Sequence, residues 1–339
     1  MNARTPLVIA AGAEDPRVEA FVRARPDATL FHLPQWARAI EAGTGQRAYV
    51  LVAEAGGEIE GVLPLTEIRS GLFGSALVSA GFGVGGGILA LNDAAAQALT
   101  DQAVRLASDL KCGSIEFRGG PLPSDWRRDD ETYAGFVRAL PRDDEAILAA
   151  IPRKQRAEVR RALGFGLEIG FGDRDAHYRV YAESVRNLGT PVFPRSLFDA
   201  VLAEFADDAD ILTISSDGKP LASVLSLYFN DIVFPYWGGG TSAARGARAN
   251  ELLYYELMRH AARRGCTRFD FGRSKAGTGA YAYKKNWGFE PAPLAYASWG
   301  NAREINPLDP KYRLKIAAWR KMPLWLANRI GPKIARGLG

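Results

Sequence analysis

Residues 269–290 read FDFGRSKAGTGAYAYKKNWGFE, glycines and lysines set close together. That pairing raises phosphate chemistry first. Gly272 and Gly277 have the spacing of a phosphate-cradling loop, but Thr278-Gly279 follows where Lys-Ser/Thr is required. A second glycine run, GFGVGG at 81–86, formally fits a dinucleotide fingerprint. A helix must open at its third glycine, and Ile88-Leu89-Ala90-Leu91 follows instead. It reads better as a close-approach loop lining a cleft. Nucleophilic chemistry fares no better. The serine in GRSKAG lacks the G-x-S-x-G spacing, and the three histidines (His32, His177, His260) sit in no motif. Cys112 and Cys266 lack metal-ligand spacing and read as small buried thiols, so no metal is expected. Asp270 remains. It alternates with Phe269 and Phe271 and so points away from their apolar face. It fits a base, a partner orienting Arg273, or a structural carboxylate.

The elements around these residues occur twice. YVLVAEAGGEIEGVLPL (49–65) and ILTISSDGKPLASVLSLYF (211–229) are each strand, glycine turn, strand, with Gly57 and Gly218 at matching positions. Residues 94–119 and 250–273 are each a helix running into a strand, with Phe117 matching Phe271 and Glu116 matching Asp270. LPQWARAIEAGTG and DAHYRVYAESVRNLG supply a preceding helix to each copy. So long a period means a duplicated domain, not a solenoid. The expected fold is α/β (α+β), with mixed sheets flanked by helices. The expected division is 1–140, 141–305 and a tail at 306–339. Asp143 and Asp144 open a helix near the boundary, and Pro152 begins a second, basic one. In the second copy, FPYWGGG (234–240) is a strand delivering backbone to a site. TSAARGARANELLYYE (241–256) is a basic turn into a helix starting near Ala249-Asn250. Helix N-termini hold phosphates through free N–H groups and the helix dipole. The phosphate role therefore moves upstream of Gly272.

Strand, R-x-x-G-x-A-like turn, helix, strand, then YKKNWGFE resembles the GNAT acyltransferase fold. In detail the chain resembles the FemAB-related branch, whose members carry two tandem GNAT-like domains. Residues 31–45 (FHLPQWARAIEAGTG), NLGTPVFPRSLF and FDFGRS…GTG…YKKNWG carry the likeness. Within that branch it resembles the FemAB-like proteins associated with exosortase systems. The resemblance implies transfer of an acyl or aminoacyl group to an amine, from acyl-CoA, acyl carrier protein or aminoacyl-tRNA as co-substrate, with no permanently bound cofactor. It places Tyr283 at a general-acid position and Lys284 where an ammonium stabilises an oxyanion, with Asp270 as third catalytic candidate. Both Tyr283 and Lys284 also fit plain packing or solvated helix surface. Arg245, Asn250, Arg273, Ser274 and Lys285 are implied donor or phosphate contacts. Tyr236, Trp237 and Tyr281 would line the acceptor cleft. Arg153, Arg156 and Arg160, on a segment like the family's K-x-R-x-x-I-R, would meet an acidic carrier. The turn ARGARAN departs from the glycine-rich form of acetyl-CoA enzymes. A catalytically silent binding module is the alternative reading.

The chain has 339 residues, 47% hydrophobic and 24% charged, an ordinary globular composition. No run reaches membrane-spanning length, and the N-terminus is a poor signal peptide, so a cytoplasmic protein is expected. Net charge is +5, yet residues 310–339 hold eight basic residues and no acid, leaving about −3 elsewhere. Trp319, Leu324, Trp325, Leu326 and Ile330 are interleaved with those charges. The tail fits either an anionic membrane surface, peripheral at the inner membrane, or a helix packed on the body. Nucleic acid is favoured by charge alone, without a recognisable module, and DNA is not expected.

Overall fold

The computed structural model describes residues 7–11, 14–301 and 313–339. Residues 306–312 of the expected tail, Lys311 among them, lie outside the described residues, as does the Arg313 side chain. Two large sheets, with a small three-stranded one of Ser274–Lys275, Tyr133–Gly135 and Ala292–Pro293 beside them, carry the described chain. The first runs in the order Leu7–Ala11, Arg47–Ala55, Glu58–Ser70, Gly74–Ser79, Ser114–Arg118, Tyr296–Gly300, Arg127–Asp129. The second runs Glu168–Phe171, Ala209–Ser216, Lys219–Phe229, Ile232–Gly240, Arg268–Asp270, Val137–Ala139.

The duplication is visible strand by strand. Each copy opens with a hairpin whose two turn residues have positive φ: Gly56 and Gly57 in one, Asp217 and Gly218 in the other. That turn matches the twist of the strands it joins. A third antiparallel strand follows, then a helix, then a strand parallel to the third. The helices are Asp93–Asp109 and Ala249–Arg263. Asn92 caps the first, its side chain accepting from the Ala95 N–H at 2.8 Å. The parallel pairs are Leu77 with Ile115 and Val78 with Glu116 in the first copy. In the second they are Ile232 with Arg268 and Val233 with Phe269.

The copies are interlocked. Val137–Ala139, before residue 140, pairs with Arg268–Asp270 in the second sheet. Tyr296–Gly300, after the second copy, pairs with Ser114–Arg118 in the first. Helices Pro34–Thr44 and Arg195–Phe205 pack across the halves, closely because Gly43 has no side chain: a Cβ there would stand 2.5 Å from the Leu197 Cα. One apolar cluster spans both copies, with Trp36 stacked on Trp237 at 6.1 Å and Phe198 against Trp237 at 5.0 Å. Buried aromatics of this size dominate packing energy, which fixes the two halves as one body.

The tail forms helices Arg313–Lys321 and Leu324–Ala335. They lie on the body. Gly331 sits against Val192, the Arg186 guanidinium donates to the Met322 carbonyl at 3.1 Å, and Gln46 donates to the Arg336 carbonyl at 2.9 Å. The packing reading of the tail is thus seen, while Trp325 remains 68% exposed beside it. Among the described residues no helix is long and apolar enough to cross a membrane.

Candidate active site

The parallel pairing of Ile232–Gly240 with Arg268–Asp270 ends after Val233 and Phe269. From there each strand keeps only its other neighbour. A cavity of about 310 Å3 opens between them, lined by Phe234 to Gly238 on one side and Asp270 to Arg273 on the other. A bulge adds to the opening. Leu225 faces Trp237 and Ser226 faces Pro235, which leaves Tyr236 as the extra residue. Its hydroxyl donates to the Phe82 carbonyl across the halves. Phe82 and Val84 line the same cavity, so the 81–86 loop is a cleft wall.

Three charged groups face this cavity. Burial pushes Asp270 up to about 6, partly offset by the Gly272 N–H that it accepts at 2.8 Å and by the charge of Lys284. Gly272 reaches it by adopting φ 70°, open to glycine at little cost. Lys284 lies on helix Gly279–Asn286, started by Thr278, whose hydroxyl accepts from the Tyr281 N–H. Its ammonium donates to the carbonyls of Gly272 at 3.0 Å and Arg273 at 2.9 Å. Burial lowers its pKa to about 8, against the pull of Asp270. An ammonium has three protons, so one remains for the cavity. Arg273 donates to the Tyr296 hydroxyl at 2.8 Å and lies over the Tyr133 ring at 4.8 Å.

A second cavity of about 360 Å3 is lined by Glu158, Arg245, Arg248, Asn250, Glu251 and Tyr283. It sits at the N-terminus of helix Ala249–Arg263, where free N–H groups favour anions. Gly240 admits Asn250 closely: a Cβ there would stand 2.7 Å from its side-chain oxygen. The Tyr283 hydroxyl is buried without a well-formed hydrogen bond, near the Trp287 indole N–H, which is likewise unsatisfied. Burial first, then Tyr254 and Glu251, hold this phenol well above its ordinary pKa. Tyr254 borders the first cavity and its ring lies 6.0 Å from that of Tyr283. Consecutive residues of one short helix therefore serve two cavities, Tyr283 the second and Lys284 the first.

The candidates fall into three groups. Asp270, Lys284, Tyr236 and Trp237 meet at the first cavity, and Arg245, Asn250 and Tyr283 at the second. Arg273, expected with the donor phosphates, lies at the first cavity instead, drawn there by Tyr296. Ser274 reaches neither: it is 6% exposed and its strand pairs with Ala134. Tyr281 packs edge-on against Phe136 at 5.2 Å, and Lys285 is exposed on the far side of the helix. Arg153 and Arg160 are exposed on helix Arg153–Leu163. Arg156 instead donates to the Ala149 carbonyl at 3.2 Å. Sequence reasoning missed Arg248, which bridges Glu158 at 2.5 Å and the Arg245 carbonyl at 2.8 Å. Its place beside Arg245 in ARGARAN was the available signal. It also missed Tyr296, since an inserted strand from beyond the second copy leaves no local pattern. The histidines serve elsewhere: His177 bonds Ser223 at 3.0 Å and His260 bonds Asp210 at 2.7 Å. Both cysteines are buried, and neither is in a disulfide. No group of three metal-ligating side chains occurs among the described residues.

Comparison with known proteins agrees with this geometry. Residues 150–285 match the family described as the acetyltransferase (GNAT) domain. No curated protein sequence matches the chain. Among solved structures, FemX superposes with a TM-score of 0.65 at 16% identity, covering 91% of this chain and all of that one. A tandem GNAT protein from the clavulanic acid biosynthesis pathway gives 0.58 at 13% identity, covering 88% and 99%. The C-terminal domain of an Agrobacterium fabrum protein assigned as a lysylphosphatidylglycerol synthetase gives 0.57 at 15%, covering 91% and 97%. At these identities the likeness speaks to the fold. Residues 150–285 thus match a GNAT acetyltransferase domain, and the chain as a whole has the fold of FemX and of the tandem GNAT protein.

Proposed function

We propose that the chain is an N-acyltransferase whose chemistry takes place where strands Ile232–Gly240 and Arg268–Asp270 part. The carrying observation is the parted pair with Asp270 and Lys284 facing the gap and the unsatisfied Tyr283 hydroxyl beside it. The donor enters along the cavity of Arg245, Arg248 and Asn250, whose helix N-terminus suits phosphate. The acceptor amine enters the aromatic cavity under Tyr236 and Trp237. Asp270, raised toward neutrality, takes a proton from the ammonium form of the amine. The amine nitrogen attacks the acyl carbonyl carbon, forming the C–N bond. The free proton of Lys284 stabilises the oxyanion. The C–S or C–O bond to the carrier breaks, the leaving atom takes a proton from Tyr283, and the extra proton still on the amide nitrogen passes back to the Tyr283 oxygen, leaving a neutral amide.

The donor in this reading is an acyl thioester, on CoA or acyl carrier protein, ahead of an aminoacyl-tRNA. The exposed Arg153 and Arg160 are the contact for an acidic carrier. The acceptor is an amine of a cell-envelope, lipid or exopolysaccharide-related molecule. Exposed Trp325 with Arg329 and Lys333 one and two turns on would hold the tail to an anionic membrane surface. We take 1–140, 141–305 and 306–339 as the functional divisions, with the exchanged strands tying the first two. Glu158 and Glu251 in the phosphate cavity favour the second reading, a catalytically silent binding module. One experiment separates them: the full chain is incubated with acyl-CoA, acyl carrier protein or aminoacyl-tRNA and amine mixtures from envelope extracts, and products are read by mass spectrometry. A new N-acyl species that disappears with Lys284→Ala supports the enzyme. Thermal stabilisation by a donor with no product in any mixture supports the silent module.

A further inference from the structure

The guanidinium of Arg273 is under-used by the protein. It has five N–H donors in a planar fork. One donates to Tyr296, and the ring faces of Tyr133 and Tyr296 flank it at 4.8 and 5.9 Å. No carboxylate among the described residues forms an ion pair with it. The nearest acid on the cavity wall, Asp270, spends an oxygen on the Gly272 N–H. The first copy shows what a purely structural arginine looks like at the matching place. Arg118 is 5% exposed, pairs with Glu116 at 2.7 Å and donates to the Gly83 carbonyl at 2.9 Å. Its charge is paired and two of its donors are bonded inside the protein. In the second copy the arginine stands one residue later, glycine takes the Arg118 position, and the fork faces the cavity instead.

The cavity wall then carries two cations, Arg273 and Lys284, against one acid. Its other lining residues have no formal charge. Excess positive charge at a half-buried wall is costly until an anion pairs with it. The donor phosphates already have Arg245 and a helix N-terminus at the other cavity. We propose that the amine ligand of this cavity also bears an anion, a carboxylate or a phosphate, and that Arg273 binds it in the forked two-point manner. Planar two-point pairing is what arginine offers over lysine. The aromatic walls from Phe82, Phe193 and Trp237 suit an apolar or ring-bearing body between the two ends. The ligand is thus an amino acid or an amino-sugar phosphate in class. This inference rests on the reading of the cavity as the acceptor site.

The test is calorimetric titration of the full chain with two matched pairs: phenylalanine against phenylalaninamide, and glucosamine 6-phosphate against glucosamine. The acidic member of one pair should bind at least tenfold more tightly than its neutral partner, and which pair discriminates names the anion. Arg273→Gln should erase the discrimination, while Arg273→Lys keeps part of it. If Arg273→Gln does not fold, phenylglyoxal labelling of the wild type, mapped by peptide mass, replaces it. The discriminating acid should then slow modification of Arg273 tenfold. Equal binding within both pairs, discrimination that survives Arg273→Gln, or protection of Arg273 by coenzyme A alone would overturn the proposal. Acid binding through Arg273 without acyl transfer from any donor would keep this inference and defeat the enzyme reading. Transfer to neutral amines at the same rate, with Arg273 unprotected, would do the reverse.

Discussion

The two copies share strands, turns and helices, yet one is sealed where the other is open. In the first copy the region past Leu77–Ile115 and Val78–Glu116 stays closed. The Arg118 N–H donates to the Ser79 hydroxyl at 2.8 Å, and the Gly87 N–H donates to the Arg118 carbonyl at 3.1 Å. The 81–87 loop folds into the gap so tightly that a Cβ on Gly87 would stand 1.8 Å from the Gly119 carbonyl oxygen. Tyr296–Gly300 then covers the outer edge of Ser114–Arg118. In the second copy the matching space is the aromatic cavity. The first copy thereby serves as a wall: its sealing loop supplies Phe82 and Val84 to the cavity of the second. The difference lies in a few side chains. Glu116 with Arg118 neutralises itself, while Asp270 is left without an arginine and Lys284 faces it from a helix.

The largest effect that could break this comparison is on stability. Gly87→Ala should destabilise the protein by about 3 kcal/mol, because backbone must move to admit the methyl. Gly272→Ala should cost only about 1 kcal/mol, since nothing lies within 4 Å of its missing Cβ and only its φ of 70° resists. Urea unfolding of both variants ranks them. Similar costs would mean that the first copy is no more tightly sealed than the second.

Next comes turnover. Lys284→Ala should lower kcat by about 100-fold, roughly 3 kcal/mol of oxyanion stabilisation. Glu116→Gln, at the Asp270 position of the sealed copy, should leave kcat within about twofold. Steady-state rates with the donor that the wild type accepts decide. Loss of activity in Glu116→Gln would show the sealed copy to be chemically engaged.

The pH dependence sharpens the same contrast. If Asp270 must be ionised and Lys284 charged, kcat/KM rises with pH through about 6 and falls through about 8. Lys284→Arg should remove the upper limb. The stability sign is opposite in sense. Asp270 is raised when folded, so its contribution is full below its unfolded pKa and is lost as pH rises through about 6. Asp270→Asn should therefore match the wild type near pH 4 and exceed it by up to about 2 kcal/mol at pH 7. A flat difference across that range would mean the carboxyl is not desolvated.

Much of this was legible in the sequence, for reasons that are local. The paired glycine turns, the alternation of Phe269-Asp270-Phe271 and the helix start at Ala249 follow from short-range sterics, and all three stand where expected. What was not legible is long-range. The exchange of Val137–Ala139 and Tyr296–Gly300 between sheets depends on pairing partners more than a hundred residues away. The same is true of Arg273. The family resemblance implied phosphate binding, but Tyr133 and Tyr296 decide where it points. Ser274 and Tyr281 line neither cavity, because a two-residue strand and a ring against Phe136 turn them inward. The bulge at Tyr236 leaves no sequence mark, since FPYWGGG reads as one even strand.

The smallest expected effect separates packing from chemistry at one atom. The Tyr283 hydroxyl is buried without a well-formed hydrogen bond, its polar neighbour being the Trp287 indole N–H, which is equally unsatisfied. A hydroxyl in that state is a net cost, so Tyr283→Phe should stabilise the protein by about 1 kcal/mol. Burial keeps the phenol protonated far above neutrality, which suits a group whose task is to give a proton late in the reaction. The same substitution should then lower kcat about tenfold or more, with the amine's apparent affinity unchanged, because Tyr283 faces the donor cavity. Stability rising while kcat falls is the signature of a group kept for the reaction at the expense of the fold. A fall in stability would mean that the hydroxyl has a partner in solution, and an unchanged kcat would make Tyr283 a packing residue.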